Sequence, residues 1–381
     1  MPWVAHAQPK PAPISTSVQA YGPAPLQFGE LRLPAGDGPF PVAVLVHGGC
    51  WTSGYANQRS MAAMADALAR EGVASWNIEY RQLGDAGGGW PGTFWDWAAA
   101  LDHLRLLQLS APLDLERVAV AGHSAGGHAA LWLAARRWLP AGSELRSGTG
   151  AAGPLPVQAV VNLDGPAALA PWVGPDAEVC EKPVLKALMG GTPAEQPLRW
   201  QQAAPELALP LRVPQYLITG PVLTEPLAQA YAQAAQTRGD TVQWRTPVQP
   251  AGSPPAGHFE VLDPAHPAGQ LALRTIIDEA LAPAFASQSL NYRCARGQKL
   301  AVAQLTQRGG AAFASLQWAG KQVLLQASPA GQALRFQSMP LASYTGLVWQ
   351  LGPDGGQLTE LRPGGKDRSL TFDCVPVKAG P

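Results

Sequence analysis

Val118-Ala119-Val120-Ala121-Gly122-His123-Ser124-Ala125-Gly126-Gly127 joins a short apolar run to a Gly-x-Ser-x-Gly turn. Four small or β-branched apolar residues in a row fit a strand buried on both faces. The window after the turn, 124–138, reads as a helix. Glycines at 122 and 126 permit a tight turn with strained backbone at the serine. Ser124 then stands clear of the sheet at a helix N-terminus. There the helix dipole and the free N–H of Ala125 favour a developing oxyanion. This is the strand-turn-helix setting of a nucleophilic serine.

A second element lies upstream. His47-Gly48-Gly49-Cys50-Trp51 follows directly on a strand expected over 42–46. Its glycines let backbone N–H groups approach a substrate carbonyl. The expected oxyanion donors are Gly49 or Cys50, together with Ala125. His47 leads this loop and takes a hydrogen-bonding part there, not the part of the base. Trp51 either walls an acyl pocket or fills the core.

The base belongs on a loop after the last strand, and Gly257-His258-Phe259 follows a strand expected over 241–246. His123 and His128 flank the turn, His103 sits in a helix and His266 lies beyond the loop, so His258 is the candidate. The acid stays open between two carboxylates. Gly220-Pro221-Val222-Leu223-Thr224-Glu225-Pro226 follows the strand expected over 213–219 and offers only Glu225. Asp164 ends the strand expected over 157–163, one strand earlier. A third alternative is that neither serves and activity is reduced.

Around these motifs, β-branched runs alternate with helical windows from about residue 26 to 285, as in an α/β fold with a parallel sheet covered on both faces. Beyond residue 286 short alternating runs are separated by Gly-rich turns, with no helix-length window. The chain therefore divides into a disordered lead or signal-peptide remnant (1–20), an α/β domain (21–285) and a small all-β domain (286–381). Ala5-His6-Ala7 has the small-x-small look of a signal-peptidase site.

Composition narrows the partners. Lys+Arg and Asp+Glu are both 27 in 381 residues, so the formal charge is zero and no basic excess exists to grip nucleic acid. No run of about 18 apolar residues offers a membrane span. Four cysteines without a CxxC point away from a zinc ribbon, and no metal or cofactor is expected.

With these residues placed, the segment from about 26 to 285 resembles the α/β-hydrolase superfamily, in particular its esterase and kynurenine-formamidase-like group. The likeness rests on His47-Gly48-Gly49-Cys50-Trp51, on Gly122 to His128, on Asn77-Ile78-Glu79-Tyr80-Arg81 and on Gly89-Trp90-Pro91-Gly92-Thr93. It implies a doubly wound, mostly parallel sheet and metal-free hydrolysis of small esters or amides. Related sequences carry an aspartate in the 220–226 loop, and this chain departs there. Cys50 and Cys180 look like a pair bridging the pocket rim.

The C-terminal region resembles the membrane-bound C-type lysozyme inhibitor family. The residues that carry this are Asn291-Tyr292-Arg293-Cys294-Ala295-Arg296-Gly297, Tyr344 to Trp349, and Phe372-Asp373-Cys374. The resemblance implies a small β-barrel, a Cys294–Cys374 bridge and a C-type lysozyme as partner. The family's inhibitory Ser and Lys find no counterpart here. Such a bridge needs an oxidising compartment, so a periplasmic or secreted protein is expected.

The expected function is a serine hydrolase in which Ser124 attacks, His258 shuttles the proton, and Glu225 or Asp164 orients the imidazole. The rival is a catalytically weak or silent scaffold that binds lysozyme or cell-envelope material.

Overall fold

The computed structural model describes residues 14–146, 152–250, 252–283, 285–307, 312–318, 321–328, 334–338, 346–352, 355–362 and 366–377. They form two compact units, 1–282 and 283–381.

The first unit is built on eight strands: β1 (Ser15–Ala20), β2 (Phe28–Leu33), β3 (Phe40–Val46), β4 (Ala74–Ile78), β5 (Leu113–His123), β6 (Ala159–Leu163), β7 (Gln215–Ile218) and β8 (Val242–Arg245). Their spatial order is β1-β2-β4-β3-β5-β6-β7-β8. Strands β3 to β8 pair in parallel, and β1 and β2 add an antiparallel margin. The parallel part follows from the connections, since each crossover carries a helix that must pack back on the sheet.

Side chains alternate between the two faces with period two. Val42, Val44, Val46, Val118 and Val120 pack on one face with the helices Gly92–Asp102, Ala125–Ala135 and Glu225–Thr237. Ala43, Leu45, Ala119 and Ala121 pack on the other with Ala62–Arg70 and Pro267–Arg274. Each fully buried Val or Leu contributes about 1.5–3 kcal/mol. Two-sided burial is why these strands read as unbroken apolar runs.

The helix Ala125–Ala135 is buried all round, every residue included. Its sequence, AGGHAALWLAA, has no polar face to show to water, as expected of a helix enclosed in a core. Residues 15–20, expected from the sequence to belong to an unstructured lead, instead form β1. Their six residues pair one to one with β2 and so cover the edge that β2 would otherwise expose. The Ala5-His6-Ala7 triplet lies outside the described residues.

The second unit is a closed antiparallel barrel, ordered β10-β11-β12-β13-β14-β15-β16-β9. Its strands are β9 (Phe285–Arg293), β10 (Lys299–Gln307), β11 (Ala312–Trp318), β12 (Lys321–Ser328), β13 (Leu334–Ser338), β14 (Gly346–Gly352), β15 (Gly355–Leu361) and β16 (Arg368–Pro376). Leu300, Val302, Leu316, Leu325, Phe336 and Trp349 fill it. Closure of β16 on β9 leaves no strand edge, and a Cys294–Cys374 disulfide ties the two closing strands together.

Candidate active site

The elbow is set at the end of β5. Ser124 has φ 53° and ψ −121°, a backbone state that costs on the order of 1–3 kcal/mol outside glycine. Two hydrogen bonds hold it: Ser124 N–H donates to Leu163 O at 3.0 Å, and Gly127 N–H donates to Ser124 O at 2.8 Å. The flanking glycines are required by space. A Cβ on Gly122 would stand 1.8 Å from Gly126 O, and one on Gly126 would stand 2.1 Å from Val46 O. Both obstacles are backbone and cannot step aside.

Asp164 and His258 meet across 94 positions of chain. Nδ1 of His258 donates to Asp164 Oδ2 at 2.6 Å. Asp164 is 1 % exposed. Its other oxygen accepts the N–H of Val222 at 3.0 Å and of Leu223 at 2.6 Å. The carboxylate is therefore fixed by main chain on one side and aimed at the imidazole on the other. Asp164 sits at the end of β6, and its N–H donates to Ile218 O on β7 at 2.9 Å. Glu225 lies elsewhere: its carboxylate accepts from the Thr246 hydroxyl at 2.5 Å.

His123 braces the loop that carries His258. Its Nε2 donates to the backbone carbonyl of His258 at 2.8 Å, and the two rings lie 4.4 Å apart. Burial, reinforced by the neighbouring His258, pushes the His123 pKa down to about 3. It is thus a neutral donor at ordinary pH that ties the His258 loop to the elbow.

The Gly49-Cys50-Trp51 loop bends through positive φ at three successive residues, 105°, 51° and 50°. His47 anchors its start. His47 Nε2 lies 2.9 Å from Glu79 Oε1, and the Tyr80 hydroxyl donates to His47 O at 2.9 Å. A Cβ on Gly48 would stand 2.7 Å from the Ser124 Cβ, so this loop lies directly against the serine. Cys50 is disulfide-bonded to Cys180, and the Tyr55 hydroxyl donates to Cys180 O at 3.1 Å. Ala125 is the first residue of its helix, so its N–H has no intrahelical acceptor. The loop at Gly48 and the N-terminus of the helix thus both lie against Ser124.

Ser124 opens into a small cleft, lined mainly by Cys50, Trp51, Trp172, Asp176, Cys180 and Val222. Of the tryptophans near the motifs, Trp51 lines this cleft and is 3 % exposed. Trp97 is packed in the core with Phe94 and Trp132, while the Trp90 and Trp95 indoles bond Glu144. Trp172 and the Val222 and Leu223 N–H groups carry no local pattern, and sequence reasoning missed them. Among the described residues no group of three His, Cys, Asp or Glu side chains is arranged to hold a metal. No helix among them is long and apolar enough to cross a membrane.

A family model described as BD-FAE matches residues 30–220. A search of the curated proteins finds no match. Solved structures do match. Esterase B from Lactobacillus rhamnosis is 25 % identical, with a TM-score of 0.54, 70 % of this chain covered and 84 % of that one. A truncated carbohydrate esterase from gut microbiota is 18 % identical, with a TM-score of 0.55 and coverage of 71 % and 96 %. Esterase 2 of Thermogutta terrifontis phosphonylated by sarin is 16 % identical, with a TM-score of 0.54 and coverage of 70 % and 96 %.

Proposed function

The chain belongs to the BD-FAE family, and on that premise we propose that it is a serine esterase whose triad is Ser124, His258 and Asp164. The observation that carries the reading is the 2.6 Å bond from His258 Nδ1 to Asp164, set beside the strained Ser124 elbow.

In this mechanism Ser124 Oγ attacks the ester carbonyl carbon and its proton passes to His258 Nε2, because Nδ1 is committed to Asp164. The carbonyl π electrons move onto oxygen. The N–H of Gly49 or Cys50 and that of Ala125 receive the resulting charge. Collapse of the tetrahedral species expels the alcohol, which takes the proton from Nε2. Water then repeats the sequence: it gives a proton to His258, adds to the acyl carbon, and frees Ser124 and a carboxylic acid. Asp164 stays ionised and stabilises the imidazolium that forms in each half.

The cleft beside Ser124 supports a small, uncharged acyl group, and esters rather than amides follow from the likeness to esterases. The similarity to a carbohydrate esterase supports a sugar hydroxyl as the alcohol. Two disulfides support a periplasmic or secreted protein. The binding-only alternative drew its strength from the missing aspartate at 220–226, and Asp164 supplies that carboxylate from the preceding strand. For the barrel, the Cys294–Cys374 bridge and eight-stranded closure support a lysozyme-inhibitor-like binding role, with a C-type lysozyme as the partner to test by calorimetry.

Hydrolysis of p-nitrophenyl acetate and fluorophosphonate labelling test the enzyme reading. Both are expected in the intact chain and absent in Ser124→Ala. A chain that shows neither, while folded, refutes it.

A further inference from the structure

A second cavity adjoins the Ser124 cleft, and one residue lines both. The second space is the larger of the two and is lined by Ala168, Pro171, Trp172, Leu227, Tyr231 and Glu206, among others. Trp172 is the lining residue shared with the cleft that holds Ser124. Its surroundings alternate sides. Pro166 and Val222 face the Ser124 cleft, while their chain neighbours Ala167 and Leu223 face the second cavity. The two spaces thus adjoin at Trp172 and at the residue pairs 166/167 and 222/223.

The second cavity is apolar except at one place. Glu206 Oε1 accepts the N–H groups of Leu169 at 2.8 Å and Ala170 at 3.0 Å. Its Oε2 is buried and has no hydrogen-bond partner. Burial raises the Glu206 pKa above the usual carboxyl range. An apolar space with a single desolvated carboxyl receives an uncharged chain and rejects an anionic one.

Resting on the reading that Ser124 is the nucleophile, we infer that Trp172 sets the acyl length by closing the Ser124 cleft off from a second, chain-sized cavity. The indole confines the acyl group to the smaller space. Removing it opens a path to the larger one, which takes neutral aliphatic acyl chains of medium length. Trp172 is a specificity-determining residue in this account, and takes no part in bond making.

The test compares kcat/KM for p-nitrophenyl acetate, butyrate and octanoate in the intact chain and in Trp172→Ala. The octanoate-to-acetate ratio is expected to rise by about tenfold or more. Adding Ala230→Trp, which fills the second cavity from its exposed mouth, is expected to return the ratio to its starting value. A p-nitrophenyl monoester of suberic acid, whose chain ends in a carboxylate, gains nothing from Trp172→Ala. If that variant does not fold, Trp172→Phe carries the test, with a smaller rise in the same direction. An unchanged ratio in the folded variant, with acetate still hydrolysed, overturns the inference alone. Loss of acetate hydrolysis by the intact chain would instead overturn the esterase reading.

Discussion

Asp164 Oδ2 lies 2.6 Å from His258 Nδ1, while its Oδ1 is held by the consecutive N–H groups of Val222 and Leu223. One carboxylate therefore does two things. It clamps the loop after β7, and it fixes the tautomer of the imidazole on the loop after β8.

From that relationship, Asp164→Asn is expected to lower kcat by about 10⁴ with the fold kept, because the amide can present its N–H₂ to Nδ1 and favour the wrong tautomer. Glu225→Gln, bonded to Thr246 and away from the ring, is expected to leave kcat within about twofold. Steady-state kinetics on p-nitrophenyl acetate decides it. A large loss in Glu225→Gln with little in Asp164→Asn would reverse the assignment.

The elbow glycines give a stability prediction. Gly126→Ala drives a methyl against Val46 O and is expected to cost about 3 kcal/mol or more, lowering Tm by roughly 6–12 °C. Gly142→Ala, where a Cβ meets nothing within 4 Å, is the control and stays within about 1 kcal/mol. Thermal melts of the two variants compare them directly.

The Cys50–Cys180 bond closes a loop of 130 residues between the oxyanion loop and the far wall of the cleft. By loop entropy it contributes about 5 kcal/mol. The double variant Cys50→Ser, Cys180→Ser is expected to lose both thermal stability and ester turnover, the second because the bond ties down the loop of positive-φ residues that carries the proposed oxyanion donors Gly49 and Cys50. Turnover equal to that of the intact chain would mean that the backbone alone holds the loop.

His123 and His128 give a pH prediction. Burial pushes their pKa values down to about 3 and about 4 from an ordinary 6.5. Between those values the unfolded chain binds protons that the folded chain does not, so stability is full above about pH 6.5 and falls as the pH drops toward 3. Tm measured from pH 7.5 to pH 4 should decline, and His128→Gln should flatten part of that decline. A Tm that stays level to pH 4 would contradict the burial of both rings.

Much of the fold was legible because its signals are local. The run 118–121 announces a strand buried on both sides, and the Gly-x-Ser-x-Gly turn announces a backbone that only a strained elbow can make. The pattern beyond residue 286 loses helical spacing altogether, and a barrel is what forms there. Where residues 15–20 form a strand in place of the expected unstructured lead, the cause is equally physical. The six residues Ser15–Ala20 have a weak pattern of their own and become a strand only because β2 offers its edge.

The sequence by itself determined the Gly-x-Ser-x-Gly turn, the His-Gly-Gly loop, the histidine after the last strand and the parallel sheet, since each is written in neighbouring residues through glycine placement and apolar period. Only the tertiary structure decided which carboxylate meets His258, that His123 braces it, and that Trp172 stands between two cavities. Those facts depend on which strand ends lie side by side, and residues 94 positions apart are brought together by sheet order and packing rather than by any pattern along the chain.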